Sequence, residues 1–239
     1  MQDAYRHCET LVRAADKDRF LATLFAPMDK RGALHALYAF NVEIARVGEI
    51  VREPMAGEIR LQWWRDVLSG ERAGEAAANP VAAALLDTIA RCSLPVAPMI
   101  GLVEARAFDL YDDPMPTLEA LEAYLRATSS ALIAQAGRIL VGDHPAIAEA
   151  ALQAGLAYGM TGWLRAGRQQ VAFVDLRSRA GTHLAAFEAL TPRLPAAAAP
   201  AFLPVSLVRG DLAHGAMPQW RRQWVLWRAA RRYGRIMRG

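Results

Sequence analysis

The chain reads as all-α, and three observations carry that expectation. Leu37, Phe40, Ile44, Val47 and Val51 recur at three- and four-residue steps, the spacing of one helix face. Alanine is abundant throughout, while the apolar-polar alternation of strands is hard to find. Prolines and capping residues also divide the chain into segments of helical length.

Taken in order, residues 3–15 form a first amphipathic helix and residues 18–26 a short second one. Pro27 opens a long helix through about residue 52, with a second stripe of Tyr38, Val42, Ala45 and Glu49 beside the first. Pro54 disfavours helical geometry at Glu53 and starts the next helix, which carries Arg60, Trp63, Trp64 and Arg65. Residues 69–79, rich in Gly, Ala and Glu, read as a loop. Asn79 caps a helix from Pro80 to about Arg91. Another helix spans residues 95–111 and stops at Asp112-Asp113-Pro114.

Thr117 caps a helix that runs to about Val141, before the turn Gly142-Asp143-His144-Pro145. Pro145 to Ala166 is the next helix, and Gly155, Gly159, Gly162 and Ala166 share one of its faces. Interior helical glycines cost roughly 1 kcal/mol each against alanine, so this face has a packing reason. Either a helix approaches closely there or a cavity stays open. Residues 167–195 carry little readable signal, and the Ala/Pro-rich 194–204 reads as a linker before a short helix at 203–208. The last helix, residues 217–237, bears Trp220, Trp224 and Trp227 on one face. Seven arginines (Arg221, Arg222, Arg228, Arg231, Arg232, Arg235 and Arg238) lie in or just beyond it with no acid, exceeding the whole-chain net charge of +4.

A length of 239 residues suits a single domain with a full core, and 54% hydrophobic residues against 22% charged exclude a largely disordered chain. Lys17 and Lys30 are the only lysines. Cys8 and Cys92 lack metal-type spacing and read as reduced thiols, which fits a reducing compartment. The charged first twenty residues show no signal pattern, and no uncharged apolar run reaches the ~18 residues of a membrane span. The expected location is cytoplasmic, in solution or peripheral to the inner membrane. The five histidines have no ligand spacing, and no Ser-His-Asp order, phosphate loop or nucleotide fingerprint is present.

Several motifs resemble the squalene/phytoene synthase family. They are Tyr38-Ala39-Phe40 followed by Arg60-Leu61-Gln62-Trp63-Trp64-Arg65, then Asp109-Leu110, and then Met160-Thr161 with Leu164-Arg165; Phe20, Pro27 and Arg31 agree with them. The resemblance implies an isoprenoid-synthase helical bundle with a central cavity between the helices of residues 33–52 and 145–166. It also implies condensation of prenyl diphosphates, with magnesium held between two aspartate-bearing helices.

At the positions matching the family's arginine and two aspartates stand Val42, Ala45 and Glu49; at those matching its second motif stand Gly162, Ala166 and Gln170. Arg46 adds a cation beside Ala45, and Gln169 to Val174 replaces the usual Gly-Arg-x-Tyr-Leu-Pro stretch. The pattern is most similar to a branch that includes mitochondrial respiratory complex I assembly factors and their bacterial relatives. That branch shares Asn41, Glu43, Ala45, Gly57, Glu58 and Gln62.

These residues imply a kept scaffold without the synthase reaction. No metal ligands or cofactor are assigned, and magnesium is expected only if the reaction survives. The cavity residues under this reading are Tyr38, Val42, Ala45, Glu49, Gly162 and Ala166. Two alternatives stand beside it: a prenyl-diphosphate transferase using Glu43, Glu49 and Asp109, with Glu49 and Asp109 as its catalytic candidates, or an isoprenoid-binding protein without turnover.

Expected partners are respiratory-complex subunits, an isoprenoid ligand, and an anionic membrane surface met by the Trp220–Arg238 helix. Nucleic acid is not expected, because no recognition motif accompanies the charge. For the last helix, packing of the tryptophan face onto the core is the favoured reading over surface docking. Asp112 and Asp113 at a helix end read as solvated loop acids, and Pro114 follows them directly.

Overall fold

A computed structural model describes residues 1–51, 53–111, 113–167 and 175–232, with helical backbone continuing to 236. Among the described residues there are helices and turns and no strand. Asp112, Gln170, the 169–174 stretch and Arg238 lie outside the described residues. The chain divides into two compact units, residues 1–20 with 27–113, and residues 21–26 with 114–239.

In the first unit, α1 (Gln2–Ala15) and the start of α2 (Lys17–Thr23) precede α3 (Met28–Ala45). From Ala33 to Ile44 every residue of α3 except Glu43 is buried, so the helix is enclosed on all sides rather than along one stripe. The predicted long helix is interrupted: α3 ends at Ala45, and the short α4 (Val47–Ile50) follows after Arg46. The interruption brings Gly48 against the carbonyl of Asp109, where a Cβ would sit 2.4 Å from the oxygen. Pro54 opens α5 (Pro54–Leu68), and there Gly57 lies against the Leu110 side chain, again with no room for a Cβ. Phe40 and Trp64 pack edge to face at 5.0 Å, so the two most distinctive motifs of the sequence meet inside the core.

The predicted 69–79 loop instead contains α6 (Ala73–Ala78). Its first turn is tied to α5 by side chains: Arg72 pairs with Asp66 and Glu75 at 2.8 Å each, and the Trp63 indole donates to Glu75 at 2.9 Å. Asn79 then caps α7 (Pro80–Cys92) by accepting from Val81 and Ala82, as its sequence position predicts. Tyr5 of α1 donates to Asp87 of α7 at 2.6 Å. The predicted 95–111 helix is α8 (Ala97–Ala105) continued by a 3-10 turn, Arg106–Leu110.

In the second unit Thr117 caps α9 (Leu118–Leu125), accepting from the Ala120 N–H at 3.1 Å. The predicted single helix to Val141 is broken by a π turn, Arg126–Ser130, before α10 (Ala131–Val141). This turn explains the glycines of α11 (Pro145–Arg165). A Cβ on Gly155 would lie 2.3 Å from the Ser130 Cα, and one on Gly159 would lie 2.5 Å from the Leu125 side chain. Ser130 also donates to the Leu152 carbonyl at 3.1 Å. The element that approaches this part of the glycine face is therefore the π turn with the end of α9, and at Gly162 none of the described residues comes within 4 Å of a Cβ.

After the undescribed stretch, Asp175 caps α12 (Leu176–Leu190), a helix the sequence reading leaves unassigned. Turns and α13 (Ala199–Phe202) fill the predicted linker; its residues Ala198, Ala201 and Phe202 are buried, so it is part of the core. Then come α14 (Val208–His214) and α15 (Gln219–Ile236).

Gly155→Ala is expected to lower stability by about 1–3 kcal/mol, because backbone atoms of Ser130 must move. Gly162→Ala should raise it by up to about 1 kcal/mol, since the methyl meets none of the described residues and the helix gains. Urea unfolding of the two variants measures both signs.

Candidate functional site

The structure places the predicted site residues unevenly. Tyr38 is buried, with the Arg19 guanidinium 5.7 Å from its ring centre. Arg19 is itself fixed by Asp16, which accepts from its side chain at 2.5 Å and from its backbone N–H at 3.1 Å. Val42 is buried, Ala45 is the last residue of α3, and Glu49 is exposed on α4. Asp109 forms an ion pair with Arg106 at 3.0 Å, and Arg106 also reaches the Asn41 side-chain oxygen Oδ1 at 3.5 Å. In the second unit none of the described residues comes within 4 Å of a Cβ on Gly162, and Ala166 is exposed at the end of α11. Among the described residues, no three His, Cys, Asp or Glu side chains come together as a metal-binding group.

A cleft of about 500 Å³ does form in the first unit. Val42 and Glu43 of α3, Arg46 after it, and Ile59, Arg60 and Trp63 of α5 line it, with Leu11 of α1 and Ile50 of α4 completing the apolar wall. Glu43 is half-buried, and loss of water pushes its carboxyl above the ordinary range, partly opposed by His7, Arg60 and Arg46. Next to it Cys8 is fully buried and its thiol is pushed up to about 12, by burial first and by the Glu43 charge second.

One carboxyl facing two guanidiniums leaves the cleft with an excess of positive charge. Such a wall suits a phosphate or carboxylate group set against apolar contacts, and it repels a divalent cation. Sequence reasoning singles out Glu43 but misses Arg60 as its neighbour. A four-residue helical step cannot join α3 to α5; only the tertiary fold does.

In the second unit, the buried Glu122 gathers two guanidiniums and an imidazole from two elements. Arg126 lies at 2.8 Å, Arg179 at 3.2 Å and the His183 ring at 3.6 Å, while Gln153 holds the other ring nitrogen at 2.7 Å. Burial lowers the His183 pKa despite the carboxylate. The first of these partners lies in the π turn and the other two on α12, so the cluster stitches α9 to α12.

The fold is that of squalene and dehydrosqualene synthases. A ligand-bound dehydrosqualene synthase superposes with a TM-score of 0.77 over 98% of each chain at 17% identity. The squalene synthase of Alicyclobacillus acidocaldarius does so at 0.72, over 97% of this chain and 95% of that one, at 20% identity.

The squalene/phytoene synthase family profile matches residues 12–172, and the chain belongs to that family. Among its relatives is the NADH dehydrogenase (ubiquinone) complex I assembly factor 6 of Rattus norvegicus, 27% identical over 84% of this chain and 70% of that protein. The Homo sapiens protein of the same name is 31% identical over 67% of this chain, and the match spans 48% of that protein, about half its length. A 15-cis-phytoene synthase of Synechococcus elongatus is 31% identical over 52% of this chain and 40% of its own length. Among the described residues no helix is long and apolar enough to cross a membrane.

A carboxyl with a raised pKa favours the neutral form in the fold, so its stabilising contribution is full in acid and fades as pH rises through the raised value. Glu43→Gln is therefore expected to raise the unfolding midpoint at neutral pH. The gain should close as pH falls below the ordinary glutamate value of 4.5, and a gain independent of pH would contradict this account. Thiol labelling of the native protein checks the neighbouring residue. The half-buried Cys92 should react with iodoacetamide, while Cys8 should stay protected until the chain unfolds.

Proposed function

We propose that this chain is a non-catalytic member of its family, an interaction protein that takes part in the assembly of respiratory complex I at a membrane surface. The observation that carries this reading is the charge of the first-unit cleft, where Glu43 faces Arg46 and Arg60 and the α3 wall is Val42. In the synthases that the sequence resembles, positions corresponding to Val42, Ala45 and Glu49 supply the phosphate-binding arginine and two aspartates. Those corresponding to Gly162, Ala166 and Gln170 supply the second set.

Magnesium demands hard oxygen ligands in near-octahedral geometry. Valine, alanine and glycine offer no side-chain oxygen, and Glu49 alone does not make a cage. The residues present do not fit a magnesium-diphosphate cluster. A transferase using Glu43, Glu49 and Asp109 is weakened on two counts: burial favours the neutral form of Glu43, and Asp109 is paired with Arg106. The relatives named complex I assembly factor 6 supply the biological setting of the proposal.

A second reading, binding of an isoprenoid diphosphate without turnover, is favoured by Arg46 and Arg60 standing beside an apolar wall. Incubation of the purified protein with magnesium and farnesyl or geranylgeranyl diphosphate separates these readings. No release of diphosphate is expected, and a tagged copy should co-purify respiratory-complex subunits from solubilised membranes. Release that disappears in Glu49→Ala would overturn the non-catalytic reading. Isoprenoid diphosphate binding with no respiratory subunit recovered would favour the second.

A further inference from the structure

The last helix packs through a face that excludes its tryptophans. Arg222 is buried and donates to both carboxylate oxygens of Asp211 at 2.9 Å, and Arg165 reaches the same carboxylate at 3.2 Å. Leu226, one turn on, is buried with Ala22, Leu203, Leu207 and Met217. With that side fixed, helical register turns Trp220, Trp224 and Trp227 outward, and they are 70%, 52% and 48% exposed. The predicted packing of the tryptophan face onto the core is thus overturned: a buried ion pair and Leu226, flanked by Val225, Ala229 and Ala230, occupy the inner face instead.

The outward face combines apolar and cationic groups at one level. The Arg228 guanidinium lies over the Trp224 ring at 5.2 Å and that of Arg231 over Trp227 at 4.7 Å, so each cation sits against the face of an exposed indole. Between Gln219 and Ile236 there is no acidic residue. Beside the helix runs a groove of about 960 Å³ with Leu184, Phe187 and Val205 among its apolar lining. The acid on its rim, Glu188, is neutralised by Arg209 at 2.8 Å.

We infer that the Trp220–Arg232 face of α15 docks onto the surface of a bilayer rich in anionic phospholipid. The indoles would lie at headgroup depth and Arg228, Arg231 and Arg232 against the phosphates. Charge complementarity selects this occupant, and the geometry refines it. These Arg–Trp pairs present apolar area and positive charge within a few ångströms of each other, as the headgroup layer presents acyl chains and phosphate. The inference rests on the peripheral role proposed above only for its setting. It is tested with no respiratory subunit present, so it can fail while the assembly reading stands, and the reverse holds equally.

The test is sedimentation of the full chain with vesicles of phosphatidylcholine alone or with about one-third phosphatidylglycerol. Recovery should be about tenfold higher on the anionic vesicles and should fall with added salt. Trp224→Ser/Trp227→Ser should lose this binding while keeping its far-ultraviolet circular dichroism, and Arg228→Gln/Arg231→Gln should lose the preference for anionic lipid. Equal recovery on both vesicles, no recovery, or undiminished binding by the tryptophan variant would overturn the inference. Binding to soluble polyglutamate as strong as to the vesicles would also overturn it, in favour of an acidic protein partner.

Discussion

A carboxylate withdrawn from water must be met by positive charge or by hydrogen bonds, and Asp211 shows how much can follow from that one requirement. Its two oxygens take Arg222 of α15 and Arg165 of α11, and the backbone N–H of Met217 lies at 3.4 Å. This pairing fixes the rotation of α15 about its own axis. Rotation in turn decides which side chains the second unit keeps and which it offers to its surroundings. The pair is a structural ion pair, and its removal would leave an uncompensated buried charge rather than a simple gap.

In the first unit the governing constraint is proximity of backbone. Gly48 and Gly57 allow α4 and α5 to lie directly on residues 109 and 110, and the Tyr111 hydroxyl donates to Glu58. The Asp109-Leu110 segment that marks the family resemblance is thereby engaged in packing, with its carboxylate turned to Arg106. The cleft beside α3 is what this packing leaves open. Its chemistry is set by desolvation of Glu43 against two guanidiniums, a balance unlike that of a chelating site.

Much of the helical plan was legible because it is local. Asn79 and Thr117 accept the backbone hydrogen bonds expected of them, and Pro80 and Pro145 begin helices where their fixed φ suits the first turn. The features that escaped notice depend on partners distant in sequence. α6 is held by Trp63 and Asp66 from another helix. Its own run of Ala, Gly and Glu gives a weak signal. The outward turn of Trp220, Trp224 and Trp227 depends on a carboxylate eleven residues before Arg222, which periodicity within the helix cannot reveal. For the candidate site, Val42, Glu43 and Glu49 could be placed on α3 and α4 in advance, whereas their relation to Arg60 and Arg106 needed the folded chain.

The π turn at Arg126–Ser130 has a geometric corollary for the segment from Leu118 to Val141. One residue accommodated as a bulge shifts the phase of everything after it by about 100° of helical rotation. α9, the turn and α10 nonetheless all lie against α11, Leu125 at Gly159, Ser130 at Gly155 and Gly137 at Ile147, so the extra residue is absorbed while one neighbour is kept. A deletion of one position there would swing α10's inward residues, Leu132, Gln135 and Ile139 among them, away from the places they now fill.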